Sequence, residues 1–321
     1  MTEVLRWGRR FGTLLGFLLV ILFFWLNLPD TFMTARNLLN ISQQISMLAV
    51  VAFSMTMVMV MNDFDLSVGS MASLAGIVAA LLFSQGTSVL LGISAALAVG
   101  LLGGLVNGIL VSLVGILPFV ATLGTLTIFS GLAFFISGGK TIFGRDIPAS
   151  FSGFARGGIS LGMLNERPLL LPNLTIVALL VLLIVWVVLE HTTFGRRLYA
   201  IGGNREAARL AGVRVRLLRL LAFVFTGFGA ALAGLMYASR VASANPTQGA
   251  GLMLDAIAAV FLGMTMSEEG EPHVLATLVG VLILGVLDNG LTQMQVDSYV
   301  REMLIGGIIV AAVASSSLGK A

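Results

Sequence analysis

The chain has 321 residues, of which 58% are hydrophobic and only 10% charged. Its 38 glycines bring the apolar share to about 70%, against about 45–50% on nearly the same count in soluble chains, where about 25% of residues are charged. A water-soluble globule cannot hide that much apolar surface, and a mean hydropathy of +1.03 marks an integral membrane protein. With no cysteine and only two histidines, His191 and His273, disulfide frameworks, thiolate nucleophiles and cysteine-based metal sites are excluded. No metal or cofactor is expected on that residue content, and no nucleic acid either, because the net charge of +3 reflects a few basic residues gathered in cytoplasmic loops.

A spanning helix needs about 20 mostly apolar residues. In chain order the candidates are 11–28, 41–61, 66–84, 89–114, 118–137, 173–190, 217–239, 252–266, 274–294 and 301–318. These runs lack the alternation of membrane strands, so the expected class is all-α, a polytopic protein with about ten transmembrane segments. The first run follows Arg6, Arg9 and Arg10 and ends at Phe24–Pro29, a poor small-residue cleavage site. It is therefore expected to stay as the first helix, basic end inside.

Segments two and three are parted only by Asn62-Asp63-Phe64-Asp65. Acids at this depth are costly and face a partner or a cavity. The four residues are either a broken helix near a transport path or a tight turn at the membrane face, with Asp65 capping the next helix through the amide of Val68 or its neighbour. The two readings are compatible. Met55, Met57, Met59 and Met61 alternate at spacing two, which marks no single helical face and fits flexible packing. Further on, Gly100–Gly104 and Gly227–Ala230 supply the small residues that let helix backbones approach closely in lipid.

Five segments precede the 138–172 loop and five follow it. An odd number per half makes the halves insert in opposite orientations, which suits an inverted five-plus-five repeat. Between 191 and 219 stand Arg196, Arg197, Arg205, Arg209, Arg214, Arg216 and Arg219 against the single acid Glu206. That bias places the 191–216 loop and both termini, with Lys320, in the cytoplasm and the 138–172 loop outside. The 267–273 loop, Ser-Glu-Glu-Gly-Glu-Pro-His, runs against this scheme, although acids weigh little in topology. Within the basic loop, Asn204 is a good N-cap, Arg205–Leu210 are helix formers and Gly212 is a stop. A helix of about two turns between glycine hinges is too short to stand alone. It packs on the membrane domain, on a soluble partner, or on anionic headgroups.

Segment 252–266 reaches only about 22 Å at 1.5 Å per residue, short of a roughly 30 Å core. It starts near Asp255 and follows the turn-rich stretch Ser243–Gly251. It is either a half-helix reaching in from the outer face or a tilted helix with Asp255 among outer headgroups. Asp288 lies inside segment 274–294 and is expected to be paired or to line a cavity. No phosphate-cradling loop, paired His/Glu metal spacing or nucleophile elbow occurs, so the chain is not expected to be an enzyme.

Four stretches in order, Phe64–Ser70, Phe119–Leu123, Thr192–Val213 and Asn245–Val260, resemble the permease subunit of ribose-type monosaccharide ABC importers, a family related to branched-chain amino acid permeases. The resemblance covers the chain from about residue 30 and implies one transmembrane permease domain over 1–321 in a bacterial inner membrane. Its partners would be an ATP-binding subunit, a periplasmic substrate-binding protein and a second permease. In that picture the 204–212 helix couples to the ATP-binding subunit through Gly203, Asn204, Glu206, Ala207, Ala208 and Gly212. Asp65, Asn245 and Asp255 are candidates for the path or gate. The chain departs from the family where Asn62-Asp63 replace paired glycines and where 263–272 lacks a glycine-rich stretch, which points to a heterodimer whose partner keeps the glycines. The alternatives are an ion-gradient transporter using Asp63, Asp65, Asp255 and Asp288, or an ABC permease for branched-chain amino acids or another small solute.

Overall fold

A computed structural model of the chain describes residues 3–164, 166–267 and 270–318, with side chains from residue 12 onward except at 309 and 311–318. Arg6, Arg9, Arg10, Glu268, Glu269 and Lys320, which entered the topology argument, fall outside the described side chains. Each of the ten apolar runs is a helix: α1 (Glu3–Asn27), α2 (Ala35–Met59), α3 (Val68–Ser84), α4 (Val89–Ile109) and α5 (Pro118–Ser137) in the first half. The second half has α7 (Asn173–Trp186), α10 (Val215–Val241), α11 (Leu252–Met264), α12 (Val274–Gln293) and α13 (Ser298–Leu318). Shorter α6 (Ala149–Arg156), α8 (Thr193–Gly203) and α9 (Arg205–Leu210) lie in the connections. Six helices among the described residues are long and apolar enough to cross a bilayer, and α3, α11 and the Gly12–Asn27 part of α1 are shorter apolar helices. The protein is a multi-pass, nearly all-α membrane protein.

Hydrogen bonds between elements fix which helix ends lie together. The start of the apolar part of α1, Gly12–Asn27, meets the end of α11 through Thr13 and Thr265, whose hydroxyls are 2.6 Å apart. The end of α2 meets the end of α8, and the end of α7 meets the start of α12. These ends, with the arginine-rich connection, form one end of the bundle. Helix α1 starts there and α7 finishes there, so the two sets of five helices begin at opposite ends.

Helices α2 and α10 form the centre. Met55, Met57, Met59 and Met61 of α2 and its continuation are all buried, so α2 has no exposed face along its second half. Helices α4 and α10 touch backbone to backbone. A Cβ on Gly100 would sit 2.6 Å from the Gly227 carbonyl oxygen, and one on Gly227 would sit 2.4 Å from that of Gly100. Only glycine permits this approach, which in lipid replaces the hydrophobic drive with packing.

The opposite end carries two small antiparallel sheets that sequence patterning did not predict: β1 (Ile142–Phe143) with β4 (Ser243–Ala244), and β2 (Gly158–Leu164) with β3 (Arg167–Pro172). The β2–β3 hairpin was hidden by its unbroken apolar third strand, Leu169-Leu170-Leu171, which runs straight into α7.

Candidate functional site

The arginine-rich end is built around α8 and α9. Thr192 caps α8, its hydroxyl accepting from the Gly195 amide at 3.3 Å, and Leu198 and Ile201 bury themselves against the bundle. Thr193–Gly203 is helical inside what the sequence suggests is a 191–216 loop, although an 11-residue helix carrying Gly195, Gly202 and Gly203 has poor intrinsic propensity. Burial of its apolar face overrides that. At Asn204 the chain turns: its side-chain oxygen accepts from the Ala207 amide at 2.9 Å and starts α9. Helix α9 ends in a paired-bond cap, Gly212 N–H to Arg209 C=O and Val213 N–H to Ala208 C=O, both 3.0 Å. This cap requires a left-handed residue, and Gly212 has φ +81°.

Helix α9 is anchored by Ala208, the one buried residue of the six. Gly203, Asn204, Glu206, Ala207 and Gly212 are exposed. Glu206 and Arg209 pair at 2.8 Å on the outer face, and Leu210, 80% exposed, stands out from the helix. The arrangement presents a small, rigid, mixed polar and apolar knob.

Beneath it lies a buried charge cluster. Asp63, 1% exposed, accepts from the Arg219 guanidinium in a fork: Nε to Oδ2 at 2.7 Å and Nη2 to Oδ1 at 2.9 Å. Arg205 of α9 donates to the same Oδ1 at 3.1 Å. Arg219 also donates to the Val111 carbonyl at 3.4 Å, on the π-helical turn Leu110–Val114 that ends α4. Asn62, in the left-handed region at φ +59°, donates to the Gly202 carbonyl at 2.8 Å.

Two residues on, Asp65 is equally buried and holds the turn into α3. It accepts from the Ser67 amide at 2.9 Å and the Ser67 hydroxyl at 2.6 Å. Asn107 of α4 donates to its carboxylate at 3.3 Å and to Ser67 Oγ at 2.8 Å, and takes a bond from Thr125 of α5 at 2.6 Å. Asp65 thus ties α3, α4 and α5 together at their shared end. The bonded amide is that of Ser67, and α3 begins at Val68.

The other gate candidates sit elsewhere. Asn245 folds its own loop, accepting from the Thr247 amide and hydroxyl at 3.0 Å. That loop enters the bundle: the Gly249 amide donates to Ser73 of α3 at 2.8 Å, and a Cβ on Gly69 would meet the Gly249 carbonyl at 2.5 Å. Helix α11 therefore starts alongside the early turns of α3, with Asp255 exposed in its first turn. Among the described residues no hydrogen bond or ion pair joins Asp65 to Asn245 or Asp255. Asp288 is paired with Arg301 of α13 at 3.1 Å.

The segment before α12 is held to the turn that follows α7 and to α8. His273 lies 3.1 Å from Glu190, while Tyr199 donates to Glu190 at 3.0 Å and to the Pro272 carbonyl at 3.2 Å. Burial, with the Glu190 charge second, pushes the Tyr199 phenol well above its usual range. Arg219, Asn107 and Tyr199 were missed by sequence reading. For Arg219 the signal was present: an arginine inside an apolar helix implies a buried acid.

The sequence matches, over residues 37–313, the family described as the branched-chain amino acid transport system / permease component. It is 37% identical over 297 residues to the ribose import permease protein of Escherichia coli K12, covering 92% of this chain and 90% of that protein. The ribose import permease protein of Bacillus subtilis is also 37% identical, over 306 residues, covering 95% and 92%. The galactose/methyl galactoside import permease protein of Salmonella typhimurium is 35% identical over 329 residues, covering 98% and 95%. No solved structure matches the chain.

Proposed function

The chain belongs to the branched-chain amino acid transport system / permease component family, and on that premise we propose that it is the permease subunit of an ABC importer for a monosaccharide or a related small polar solute. Identity of 37% to a ribose import permease across nine-tenths of both chains is the observation that carries the reading. Energy comes from a separate ATP-binding subunit, which docks on the α8–α9 corner from the cytoplasm. The knob of α9 supports this: a capped helix with Leu210 exposed and Ala208 inserted suits insertion into a groove on a partner. Gly203, Asn204, Glu206, Ala207, Ala208 and Gly212 form or shape that contact.

In this arrangement the arginine-rich end and both termini face the cytoplasm, and the β2–β3 end, with the 138–172 connection, faces a periplasmic substrate-binding protein. Residues 1–321 act as one permease domain in a bacterial inner membrane. Solute moves along a path between two permease chains as ATP binding and hydrolysis shift the pair between two access states. Asp65 holds the cytoplasmic ends of α3, α4 and α5, while Asn245 and Asp255 shape the loop and half-helix that reach in from the outer side.

The second permease is a paralogue that keeps the glycines replaced here at Asn62-Asp63 and in 263–272. Mass spectrometry of the complex purified from native membranes in mild detergent tests this. The expected composition is this chain, a different permease and an ATP-binding subunit. Two identical copies of this chain in a transporting complex would overturn the heterodimer.

A further inference from the structure

Two of the contacts that fasten the α8–α9 corner to the membrane domain run through the turn Val60–Asp63. The first is backbone packing. A Cβ on Gly202, at the end of α8, would lie 1.9 Å from the Val60 carbonyl oxygen, and Asn62 donates to the Gly202 carbonyl beside it. The second is the charge cluster, in which one carboxylate, Asp63, takes Arg219 of α10 on both oxygens and Arg205 of α9 on one.

We infer that Asp63, Arg219 and Arg205 form a transmission joint: they are positioning residues through which displacement of α9 by the ATP-binding subunit is passed to α3, α4 and α10. The inference rests on the permease reading above and deepens it.

Three physical points support the joint. First, the Asp63–Arg219 pair cannot slip cheaply. Its members are 1% and 7% exposed, and parting them would leave two desolvated charges, whereas a surface pair parts into water at little cost. The fork also fixes orientation as well as distance. Second, the pair spans the elements that must move together. Asp63 precedes α3, Arg219 lies one turn into α10, and Arg219 reaches the Val111 carbonyl on the last turn of α4. Asp65, in the same turn, extends the grip through Asn107 and Thr125 to α5. Third, Arg205 is the half-exposed member, with 48% of its side chain accessible. It is the first residue of α9, so the tie leaves from the base of the knob. Paired glycines at 62 and 63 would offer neither the carboxylate nor the side-chain amide. Asn62 preserves the left-handed backbone that glycine would supply, since asparagine tolerates that region better than most residues.

The test uses the assembled importer, with its ATP-binding and substrate-binding subunits, in proteoliposomes. Arg205→Gln removes the charge of α9 from the joint but leaves the buried Asp63–Arg219 pair, and so the fold, in place. Arg205→Lys keeps the charge. Uptake per ATP hydrolysed should fall about tenfold in Arg205→Gln, within the roughly 5–150-fold range that coupling between sites spans, with the ATP-binding subunit still co-purifying. Arg205→Lys should recover most of it. Uptake per ATP equal to wild type in Arg205→Gln would overturn the joint. So would loss of the ATP-binding subunit in both variants, which would place Arg205 in the docking face itself. If wild type shows no ATP-driven uptake, the permease reading fails instead, and the two failures are distinct.

Discussion

Gly212 offers a graded test of coupling, because its replacement is governed by the backbone alone. No heavy atom lies within 4 Å of where its Cβ would stand, and its φ is +81°. Alanine therefore meets no clash but must hold a left-handed conformation, at about 1–2 kcal/mol. Proline fixes φ near −65°. It also deletes the Gly212 N–H that donates to Arg209 at 3.0 Å, and the neighbouring Val213–Ala208 bond cannot form without the same turn. Each lost bond is worth about 1 kcal/mol net, so the two together cost about 2 kcal/mol. A six-residue helix has no intrinsic margin to absorb this. In proteoliposomes carrying the complete importer, Gly212→Ala should lower ATP-driven uptake several-fold and Gly212→Pro should bring it near background. Both proteins should still insert and still hydrolyse ATP. Gly203→Pro, at the last turn of α8, should act the same way. Wild-type uptake in Gly212→Pro would refute the argument that a rigid α9 transmits the signal.

Three further outcomes follow from the packing. Arg219→Met leaves the buried Asp63 with only the half-exposed Arg205 and should cost up to about 3–5 kcal/mol, whereas Asp63→Leu combined with Arg219→Met should recover most of the thermal stability in detergent while uptake stays low. Gly104→Val should lower the melting temperature, because its Cβ would lie 2.4 Å from the Phe223 carbonyl oxygen and overpacking costs about 1–3 kcal/mol; Gly124→Val, in open space on α5, should melt like wild type. Asn204→Ala removes the cap on the Ala207 amide, worth about 1 kcal/mol, so uptake per ATP should fall less than in Gly212→Pro, and Asn204→Ser should restore it.

Much of this was legible in the residues. The ten helices follow from run length and hydropathy, and Gly100–Gly104 and Gly227–Ala230 mark surfaces for close helix approach, although nothing in the residues says that the two surfaces meet each other. Helix α9, with its bounds Arg205–Leu210, was readable because Asn204 and Gly212 are local signals that act on the adjacent backbone. The α2–α3 turn could be framed only as a pair of compatible readings, since the same two acids suit a cap or a cavity. The structure makes Ser67 the N-cap of α3 with no side-chain capping bond, uses Asp65 to fold the turn before it, and gives Asp63 a buried partner. That partner is 156 residues away, and no local pattern ties Arg219 to Asp63. Counted with six other arginines as a topological signal, it looked like a surface charge. Helix α8 was hidden for the opposite reason: its glycines argue against a helix locally, and only tertiary burial of Leu198 and Ile201 forms it. Asp65, Asn245 and Asp255 are joined by no hydrogen bond or ion pair among the described residues, although the loop before α11 packs on the first turns of α3.

The most direct test of the central claim is solute uptake into proteoliposomes containing this chain with its co-purified partners, with and without MgATP on the side bearing the ATP-binding subunit. The account predicts uptake of a labelled monosaccharide that requires ATP, requires the substrate-binding protein and persists when ionophores collapse proton and sodium gradients. Uptake that proceeds without ATP and stops on adding the ionophore would contradict it.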